Sequence, residues 1–288
     1  MFISEMFRDR TVFSFEVFPP KRTSPVETIY KTLDAISGFK PDFISVTYGA
    51  GGNLSDNSTC EIASIIKSKY SIEPLAHLTC VNTTKSDLDT ILSRFRENRI
   101  ENILALRGDK NENTSEQRDF MYASDLAEYI SSAGGFGISG ACYPETHYEA
   151  PDSITDIKNL KIKVEAGVSH LNTQMFFDNS QFYRFIEKTR IAGIDVPVQA
   201  GIMPIVNPSQ IERMVALSGA SLPAKFVKMF QRYENHPDAF REAGIAYAVD
   251  QIVDLLSNEV DGIHLYTMNN PYVAGKIAES VLPLIRVQ

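Results

Sequence analysis

The sequence has few cysteines, and their arrangement excludes several kinds of site. Cys60, Cys80 and Cys142 show no CxxC spacing, and no histidine-rich ligand pattern accompanies them. We therefore expect neither a zinc site nor an iron–sulfur cluster, and no metal site of any other kind is predicted. A sparse, odd number of cysteines is typical of a reducing compartment, which predicts a cytoplasmic protein.

Segments that target or anchor a protein are also missing, and positive charge is in the minority. No uninterrupted apolar run is long enough to span a bilayer. The first ten residues are charged and lack an apolar stretch, so we expect no signal peptide. The chain has 28 Lys and Arg against 36 Asp and Glu, a net charge of −8. This balance argues against nucleic acid or an anionic membrane as the main partner, although a small anionic ligand stays possible.

The sequence does contain a regular alternation of short β-rich runs and amphipathic helical stretches. Eight apolar runs are predicted as strands, namely residues 12–17, 43–47, 75–80, 103–106, 137–142, 170–175, 196–203 and 262–267. Mostly one helix per strand favours parallel pairing, and eight such units predict a closed (β/α)₈ TIM barrel. Residues 222–256 are broken by Pro223 and Pro237, which predicts an extra helix before the last βα unit. No linker interrupts the 288 residues, so one domain spanning 1–288 is expected.

The alternative to a barrel is an open doubly wound sheet. Such sheets often carry glycine-rich nucleotide-binding motifs, but no predicted strand here is followed by GxGxxG or GxxxxGK[ST]. Gly49, Gly51 and Gly52 form at best a weak phosphate-loop signal. Helix boundaries are clearer, because Ser24-Pro25, Asn207-Pro208 and Asn270-Pro271 each pair an N-capping residue with proline at the first helical position.

Polar residues gather at the predicted strand ends, where ligands bind in (β/α)₈ barrels. They are Glu16, Thr47, His77, Arg107, Asp109, Tyr143, Glu145, His147, Gln174 and Tyr266. Convergence across so many strands is harder to explain by chance than any single residue.

Glu16 is the sharpest candidate, because Phe15, Val17 and Phe18 surround it in the sequence. Burying an ionised carboxylate is costly, so we expect its pKa to be raised, as suits a general acid near neutral pH. The alternative is a structural glutamate held in a salt bridge.

The other strand-end residues allow two interpretations each. Asp109 could place a negative charge beside a ligand that develops positive charge, or it could cap a helix or pair with Arg107. Gln174 could bind a ligand or only satisfy backbone groups. His77 is more simply a core residue, and no role is predicted for His170, His236 or His264. Asp156, Asn159 and Lys163 share one helix face, which could be solvated or could line a ligand groove.

Taken together, these segments resemble the methylenetetrahydrofolate reductase family. The matching stretches run in order from about residue 11 to the end, at residues 15–20 (FEVFPP), 45–51 (SVTYGAG), 77–80 (HLTC), 106–109 (LRGD), 143–147 (YPETH), 173–178 (TQMFFD), 201–204 (GIMP) and 266–269 (YTMN). Each stretch alone is weak, but the ordered set is specific. The resemblance implies a flavin-bearing barrel that reduces 5,10-methylenetetrahydrofolate to 5-methyltetrahydrofolate with electrons from NADH or NADPH.

The resemblance also implies roles for individual residues. Glu16 matches the family's general acid, which protonates the departing nitrogen as the folate ring opens to an iminium ion. Asp109 matches a carboxylate between flavin and pterin. Gln174 matches a residue that contacts folate and nicotinamide in turn. The other implied substrate contacts are Thr47, Gln210 and Tyr266.

FAD is the implied cofactor, and its contacts carry over onto a larger set of positions. These are Thr47, Tyr48, Ala50, His77, Arg107, Gly108, Asp109, Ala123, Tyr143, His147, Ala150, Asp156, Asn159 and Lys163. Three positions depart from the family pattern: Met214 stands in place of a Phe, Asn270 in place of an Arg near the folate tail, and Ile162 in place of a basic residue near the flavin phosphates.

The sequence leaves two rival functions open. One is a flavin-free barrel lyase or aldolase that uses Glu16 as its acid, and the other is a catalytically silent binding subunit. The resemblance further predicts a homo-oligomer. The choice between NADH and NADPH is left open, and no adenosylmethionine control is expected.

Overall fold

The computed structural model describes residues 1–20, 27–48, 58–109 and 119–287. Eight parallel strands close into a barrel in the order of the sequence, with β8 paired to β1. The strands are β1 (Val12–Val17), β2 (Phe43–Val46), β3 (Glu73–Thr79), β4 (Asn102–Leu106), β5 (Gly137–Cys142), β6 (His170–Thr173), β7 (Val198–Ile202) and β8 (Gly262–Tyr266). The predicted TIM barrel is therefore confirmed.

Helices connect the strands and pack around the barrel. They are α1 (Glu27–Ser37), α2 (Ser58–Tyr70), α3 (Lys85–Glu97), α4 (Ala123–Ala133), α5 (Ser153–Glu165), α6 (Asn179–Ile191), α7 (Gln210–Ser218), α8 (Ala224–Tyr233), α9 (Pro237–Ser257) and α10 (Pro271–Ile285). Helix α8 is the extra helix predicted before the last βα unit. Within the described ranges, no helix combines the length and apolarity that a membrane crossing requires.

Local chemistry explains several of these boundaries. Asn270 accepts a hydrogen bond from the backbone N–H of Val273, and Pro271 begins α10, as predicted. The Asn207-Pro208 prediction is wrong in detail. The side chain of Asn207 accepts from Ser209 and forms a turn, so α7 begins two residues later than expected, at Gln210. The Ser24-Pro25 boundary lies outside the described residues.

The interior of the barrel changes character from one end to the other. At the amino end, a short 3₁₀ helix (Ile3–Phe7) brings Ile3 and Met6 against Phe43, Leu75 and other buried side chains. Further up, most TIM barrels are filled by branched apolar residues. Here the buried interior instead holds polar side chains from several strands, including Ser14, Ser45, His77, Ser139, His170, Asn172, Gln199 and His264. This polar filling lies directly below the strand ends.

Candidate active site at the carboxyl end of the barrel

Glu16 lies near the end of β1 between two histidines. Its Oε2 atom is 3.4 Å from Nε2 of His264 on β8 and 3.5 Å from Nε2 of His77 on β3. The Glu16 side chain is 18% exposed, so it is largely enclosed but reaches the open end of the barrel. The register of β1 against β8 pairs Glu16 with Tyr266 and places His264 one inward-facing position lower.

Two serines hold these histidines from below. Nδ1 of His264 is 2.7 Å from Oγ of Ser14, and Nε2 of His77 is 2.5 Å from Oγ of Ser45. Each serine lies on an inward-facing strand position, and His264 and Ser14 are fully enclosed. The histidine rings are therefore fixed in orientation by hydrogen bonds as well as by packing.

The structure corrects the prediction for the pKa of Glu16. Burial does raise it, as expected, but the hydrogen bond with His264, the electrostatic contributions of the His77 and His264 rings and a hydrogen bond with Ser45 together outweigh burial and lower the pKa. The sequence argument considered only the apolar neighbours Phe15, Val17 and Phe18 along β1. The residues that decide the direction come from β2, β3 and β8.

Buried histidines beneath the site are held in the neutral form. Burial lowers the pKa of His77 to about 4, and it lowers the pKa of His170 to about 3. Nδ1 of His170 is 2.9 Å from Oγ of Ser139, and its ring stacks near Phe7. Neither group carries positive charge near neutral pH.

Tyr266 ends β8, next to Glu16 on β1, and Gln174 follows the end of β6. The hydroxyl of Tyr266 donates to the carbonyl of Thr173 at 2.7 Å, and burial raises the pKa of this phenol well above its ordinary value. Gln174 follows β6 rather than lying inside it, because the strand ends at Thr173. Its side-chain oxygen accepts from the backbone N–H of Met175 at 2.9 Å, and Gln174 also interacts with Tyr143.

The end of β4 presents Arg107, Gly108 and Asp109. Gly108 has φ +86°, and a Cβ atom there would lie 2.7 Å from Val81, so only glycine fits this turn. Asp109 is exposed beyond it. Arg107 makes a two-pronged salt bridge with Glu149, with N–O distances of 2.6 and 2.7 Å. The sequence allowed an Asp109–Arg107 pair, but the observed partner of Arg107 is Glu149.

The loop after β5 carries a short aromatic stack. The ring of His147 lies 4.5 Å from that of Tyr143 and 4.6 Å from that of Tyr148. Nδ1 of His147 accepts from the backbone N–H of Glu149, and burial lowers the pKa of His147. Burial also raises the pKa of Tyr143 to about 12. The rings of Tyr143, His147 and Tyr148 thus pack together after the end of β5.

On α5, the predicted cofactor residues bind protein groups. Asp156 accepts from the backbone N–H of His147 at 2.9 Å, and Nζ of Lys163 donates to the carbonyl of Ala141 at 2.6 Å. Asn159 is exposed. Burial lowers the pKa of Lys163. Asp156 and Lys163 thus stabilise the junction of β5 and α5.

The remaining predicted contacts surround the same opening or lie outside the described residues. Thr47 and Tyr48 follow β2, and Ala123 begins α4; Ala150 lies in the loop before α5, and Gln210 begins α7. All five are half-buried. Ala50, together with the glycines around it, lies outside the described residues. Across the described ranges, no group of three or more His, Cys, Asp or Glu is arranged to hold a metal ion.

Four residues of the site were not predicted from the sequence: Ser14, Ser45, His264 and Gln199, whose side-chain NH₂ donates to Oγ of Ser14 at 2.9 Å. Each stands at an inward position of a strand, and Ser14 precedes Glu16 by two residues, so the period of a strand puts both on one face. That spacing was a usable signal. The pairing of β1 with β8 was needed to bring His264 to Glu16.

Fold and geometry define a (β/α)₈-barrel protein with a strand-end site built around an enclosed carboxylate that two histidine rings contact. A family model described as methylenetetrahydrofolate reductase matches residues 3–281. The chain therefore belongs to the methylenetetrahydrofolate reductase family, a family of oxidoreductases.

Individual relatives agree with this placement. Proteins named 5,10-methylenetetrahydrofolate reductase from Pectobacterium carotovorum subsp. carotovorum and Escherichia coli (strain K12) are each 35% identical over 268 residues, which is 93% of this chain and 89% and 90% of theirs. Methylenetetrahydrofolate reductase (NADH) 1 of Arabidopsis thaliana is 35% identical over 90% of this chain and 46% of its own length.

A solved structure supports the fold alone. It is a Clostridium thermocellum protein described as binding two copies of 5-methyl-5,6,7,8-tetrahydrofolic acid, with a TM-score of 0.68, 13% identity and 98% of both chains covered. Identity this low carries no inference about this chain's ligand.

Proposed function

We propose that this protein reduces 5,10-methylenetetrahydrofolate to 5-methyltetrahydrofolate with NADH or NADPH, through FAD, in two alternating half-reactions. The observation that carries the proposal is the enclosed Glu16 carboxylate at a strand end, held by His264 and His77 in a chain of this family. We further propose that residues 1–288 act as one flavin-binding catalytic barrel, working in the cytoplasm as a homo-oligomer. Its partners are the folate and nicotinamide substrates.

The residues on the β4–β5 side fit a flavin dinucleotide in chemistry. Arg107, after β4, and Lys163, on α5 against β5, supply two cationic groups for a diphosphate. Tyr143 and His147 offer ring surfaces, and Thr47, Tyr48 and His77 come from the neighbouring strands β2 and β3. We propose that these residues hold FAD together with Ala50, Gly108, Asp109, Ala123, Ala150, Asp156 and Asn159. When bound, FAD would accept hydride from the nicotinamide and pass hydride to the folate.

In this proposal Glu16 donates the proton that opens the folate ring. The lowered pKa keeps Glu16 ionised in the ligand-free protein near neutral pH, so Glu16 must gain a proton before it acts. A bound folate would exclude water from the carboxyl, and desolvation raises a carboxyl pKa. Folate binding and proton uptake by Glu16 are thus coupled, because the pKa of Glu16 is higher when bound folate covers the carboxyl group.

The other residues position the substrate and balance its charge. Asp109 presents a carboxylate where the opened folate would carry an iminium charge, and attraction between opposite charges favours that state. Gln174 is placed to serve folate and nicotinamide in turn, because its amide NH₂ can donate while its oxygen is held by Met175. Thr47, Gln210 and Tyr266 complete the proposed substrate contacts.

The function is tested on the purified protein. We expect a yellow protein with an oxidised-flavin spectrum that NADH or NADPH bleaches under anaerobic conditions. Addition of 5,10-methylenetetrahydrofolate should then restore the oxidised spectrum. A protein that holds no flavin and takes up none from added FAD would contradict the proposal and favour a flavin-free lyase or aldolase. Running the bleaching step separately with NADH and NADPH decides the electron donor.

A further inference from the structure

Strands β6 and β7 separate early at the carboxyl end of the barrel. Their register covers only residues 171–172 of β6 and 198–199 of β7, whereas each of the other strand pairs runs over four or five residues. The separation begins at Thr173 and Gly201, immediately before Gln174. Backbone groups at such a gap need hydrogen-bond partners from elsewhere.

Two side chains supply the hydrogen bonds that the backbones of β6 and β7 do not make with each other there. In the evenly spaced ladder of a parallel pair, the N–H of Gly201 would reach the carbonyl of Thr173. It donates instead to Oγ1 of Thr173 at 2.9 Å. The Thr173 carbonyl accepts from the hydroxyl of Tyr266, the last residue of β8, at 2.7 Å. The phenol of Tyr266 therefore takes the place of a backbone N–H of β7.

Gly201 leaves the space through which this phenol passes. A Cβ atom at position 201 would lie 2.3 Å from the carbonyl oxygen of Thr173 and 2.9 Å from both Cε2 and the hydroxyl oxygen of Tyr266. Non-bonded carbon atoms pack best at about 3.5–4.0 Å, so a larger residue would displace the phenol or the carbonyl. The side chain of Tyr266 thus crosses β7 over Gly201 to reach β6.

The peptide group between Thr173 and Gln174 is held on both sides. Its carbonyl accepts from Tyr266, and its N–H donates to the carbonyl of Cys142 on β5 at 2.7 Å. Burial raises the pKa of Tyr266 well above the ordinary value of a phenol, so the hydroxyl keeps its proton and stays a donor. The backbone from which the Gln174 side chain projects is therefore fixed in orientation.

We propose that Tyr266 is a positioning residue for Gln174. By donating to the Thr173 carbonyl, Tyr266 holds the Gln174 backbone so that its amide meets folate and nicotinamide in the same place. The inference rests on the proposed function, in which Gln174 serves both substrates in turn. A phenol has a single proton, and the Thr173 carbonyl takes it. The folate contact proposed for Tyr266 is therefore left to its ring and to the lone pairs of its oxygen.

A residue that acts through Gln174 should affect both half-reactions, whereas a residue that only contacts folate should affect one. In Tyr266→Phe, we expect the apparent dissociation constants of the nicotinamide and of 5,10-methylenetetrahydrofolate each to rise about fivefold, on the scale of one lost hydrogen bond. The limiting rates at saturation should stay near wild type, because the lost bond orders a binding residue. Stopped-flow measurement of flavin reduction and reoxidation gives these values. A rise confined to folate, or no rise for either substrate, would overturn the proposal.

Two single variants flank this measurement. Tyr247→Phe is the matched control, because the Tyr247 hydroxyl donates to another backbone carbonyl, that of Phe177, at 2.7 Å. It should leave both dissociation constants at wild-type values. Gly201→Ala displaces the same phenol by contact and should raise both constants, which keeps the test open if Tyr266→Phe does not fold. A folded Gly201→Ala protein that binds both substrates normally would overturn the proposal.

A double variant shows whether Tyr266 acts through Gln174. Once Gln174→Ala has removed the amide, adding Tyr266→Phe should raise neither dissociation constant further, because the effects of residues that act as one unit are not additive. Additive effects of the two substitutions would mean that Tyr266 meets the substrates independently, and would overturn the proposal.

The hydrogen bond itself is read by NMR of the purified full-length protein, independently of activity. Thr173-Gln174 is the single Thr-Gln pair in the sequence, so labelling threonine carbonyls with ¹³C and glutamine amides with ¹⁵N gives one carbonyl–amide cross-peak. A carbonyl that loses a hydrogen bond moves upfield, so Tyr266→Phe should shift this peak upfield and Tyr247→Phe should leave it in place. An unmoved peak in folded Tyr266→Phe would overturn the proposal. If the wild-type protein reduces no folate, the proposed function fails, whereas the cross-peak still decides whether Tyr266 holds the Gln174 backbone.

Discussion

The two sides of the barrel opening are built in different ways. On the side of β1, β3 and β8, Glu16 is held by His77 and His264, whose rings are fixed in turn by serines within the barrel. All of these groups lie on strands, and we call this the strand-built side. On the side of β4 and β5, which we call the loop-built side, the charged side chains come from loops and a helix. Arg107 pairs with Glu149, and Lys163 donates to the backbone.

The strand-built side is assembled before any ligand binds. On the loop-built side, the cationic side chains must exchange their present hydrogen-bond and ion-pair partners for a ligand. Arg107 is paired with Glu149, and Lys163 donates to the carbonyl of Ala141. A diphosphate could bind these cations only by replacing or sharing those bonds. The Glu16 cluster needs no such exchange. The catalytic acid is therefore expected to be ordered before any ligand binds, whereas the cofactor side reorganises when FAD arrives.

The largest expected effect on activity comes from a substitution on the strand-built side. Glu16→Gln keeps the shape of the side chain but removes the proton donor, so folate reduction should fall by about 10²- to 10⁴-fold. Flavin reduction by NADH or NADPH should stay within a few fold of wild type, as stopped-flow absorbance would show. Glu101→Gln, near the amino end of the barrel, is the matched control. Equal loss of both half-reactions in Glu16→Gln would remove Glu16 from its assigned role.

The buried histidines of the strands make the barrel interior sensitive to acid. His77 and His170 have folded-state pKa values of about 4 and about 3, below the ordinary 6.5 of an unfolded chain. Between those values the unfolded chain binds protons that the folded protein does not. The free energy of unfolding should therefore fall as the pH drops below 6.5, approaching about 1.4 kcal/mol per pH unit for each histidine.

Urea unfolding at pH 7 and pH 5.5 measures this dependence. His170→Asn should make it shallower, and His236→Asn, at an exposed loop position, should leave it unchanged. If acidification over this range costs no stability in the wild-type protein, the two histidines are not held neutral as described.

Asp109 follows β4 but is the proposed partner of the folate charge, and its substitution should have an intermediate effect. Asp109→Asn removes a negative charge from the place where folate would develop positive charge, so folate reduction should slow about tenfold. The flavin midpoint potential should also shift, because a charge near the ring system is lost. Measuring both quantities is informative, since an unchanged rate together with an unchanged potential would exclude Asp109 from the chemistry.

The smallest expected effect concerns the loop-built side. Glu149→Gln frees Arg107 from a partly exposed ion pair, which is worth up to about 1 kcal/mol, so apoprotein should bind FAD up to about fivefold more tightly. Titration of flavin fluorescence against apoprotein measures this affinity. Weaker binding would mean that Glu149 holds Arg107 in place for the phosphates and does not compete with them.

The sequence predicted the barrel and the position of Glu16 well, because both follow from local patterns. The alternation of strands and helices is visible over short windows of sequence, and the apolar neighbours of Glu16 mark it as an unusual carboxylate. The direction of its pKa shift was wrong, because the groups that lower it are distant in sequence: His264 is 248 residues away. The pairing of Arg107 with Glu149 was missed for the same reason, since it depends on how two loops meet.

Binding of FAD to ¹⁵N-histidine-labelled apoprotein tests the central distinction most directly, because His264 reports on the strand-built side and His147 on the loop-built side. We predict that saturating FAD shifts the ring signals of His147 and leaves those of His264 in their original positions. A shift of His264 as large as that of His147, or no shift of His147 at all, would contradict the account.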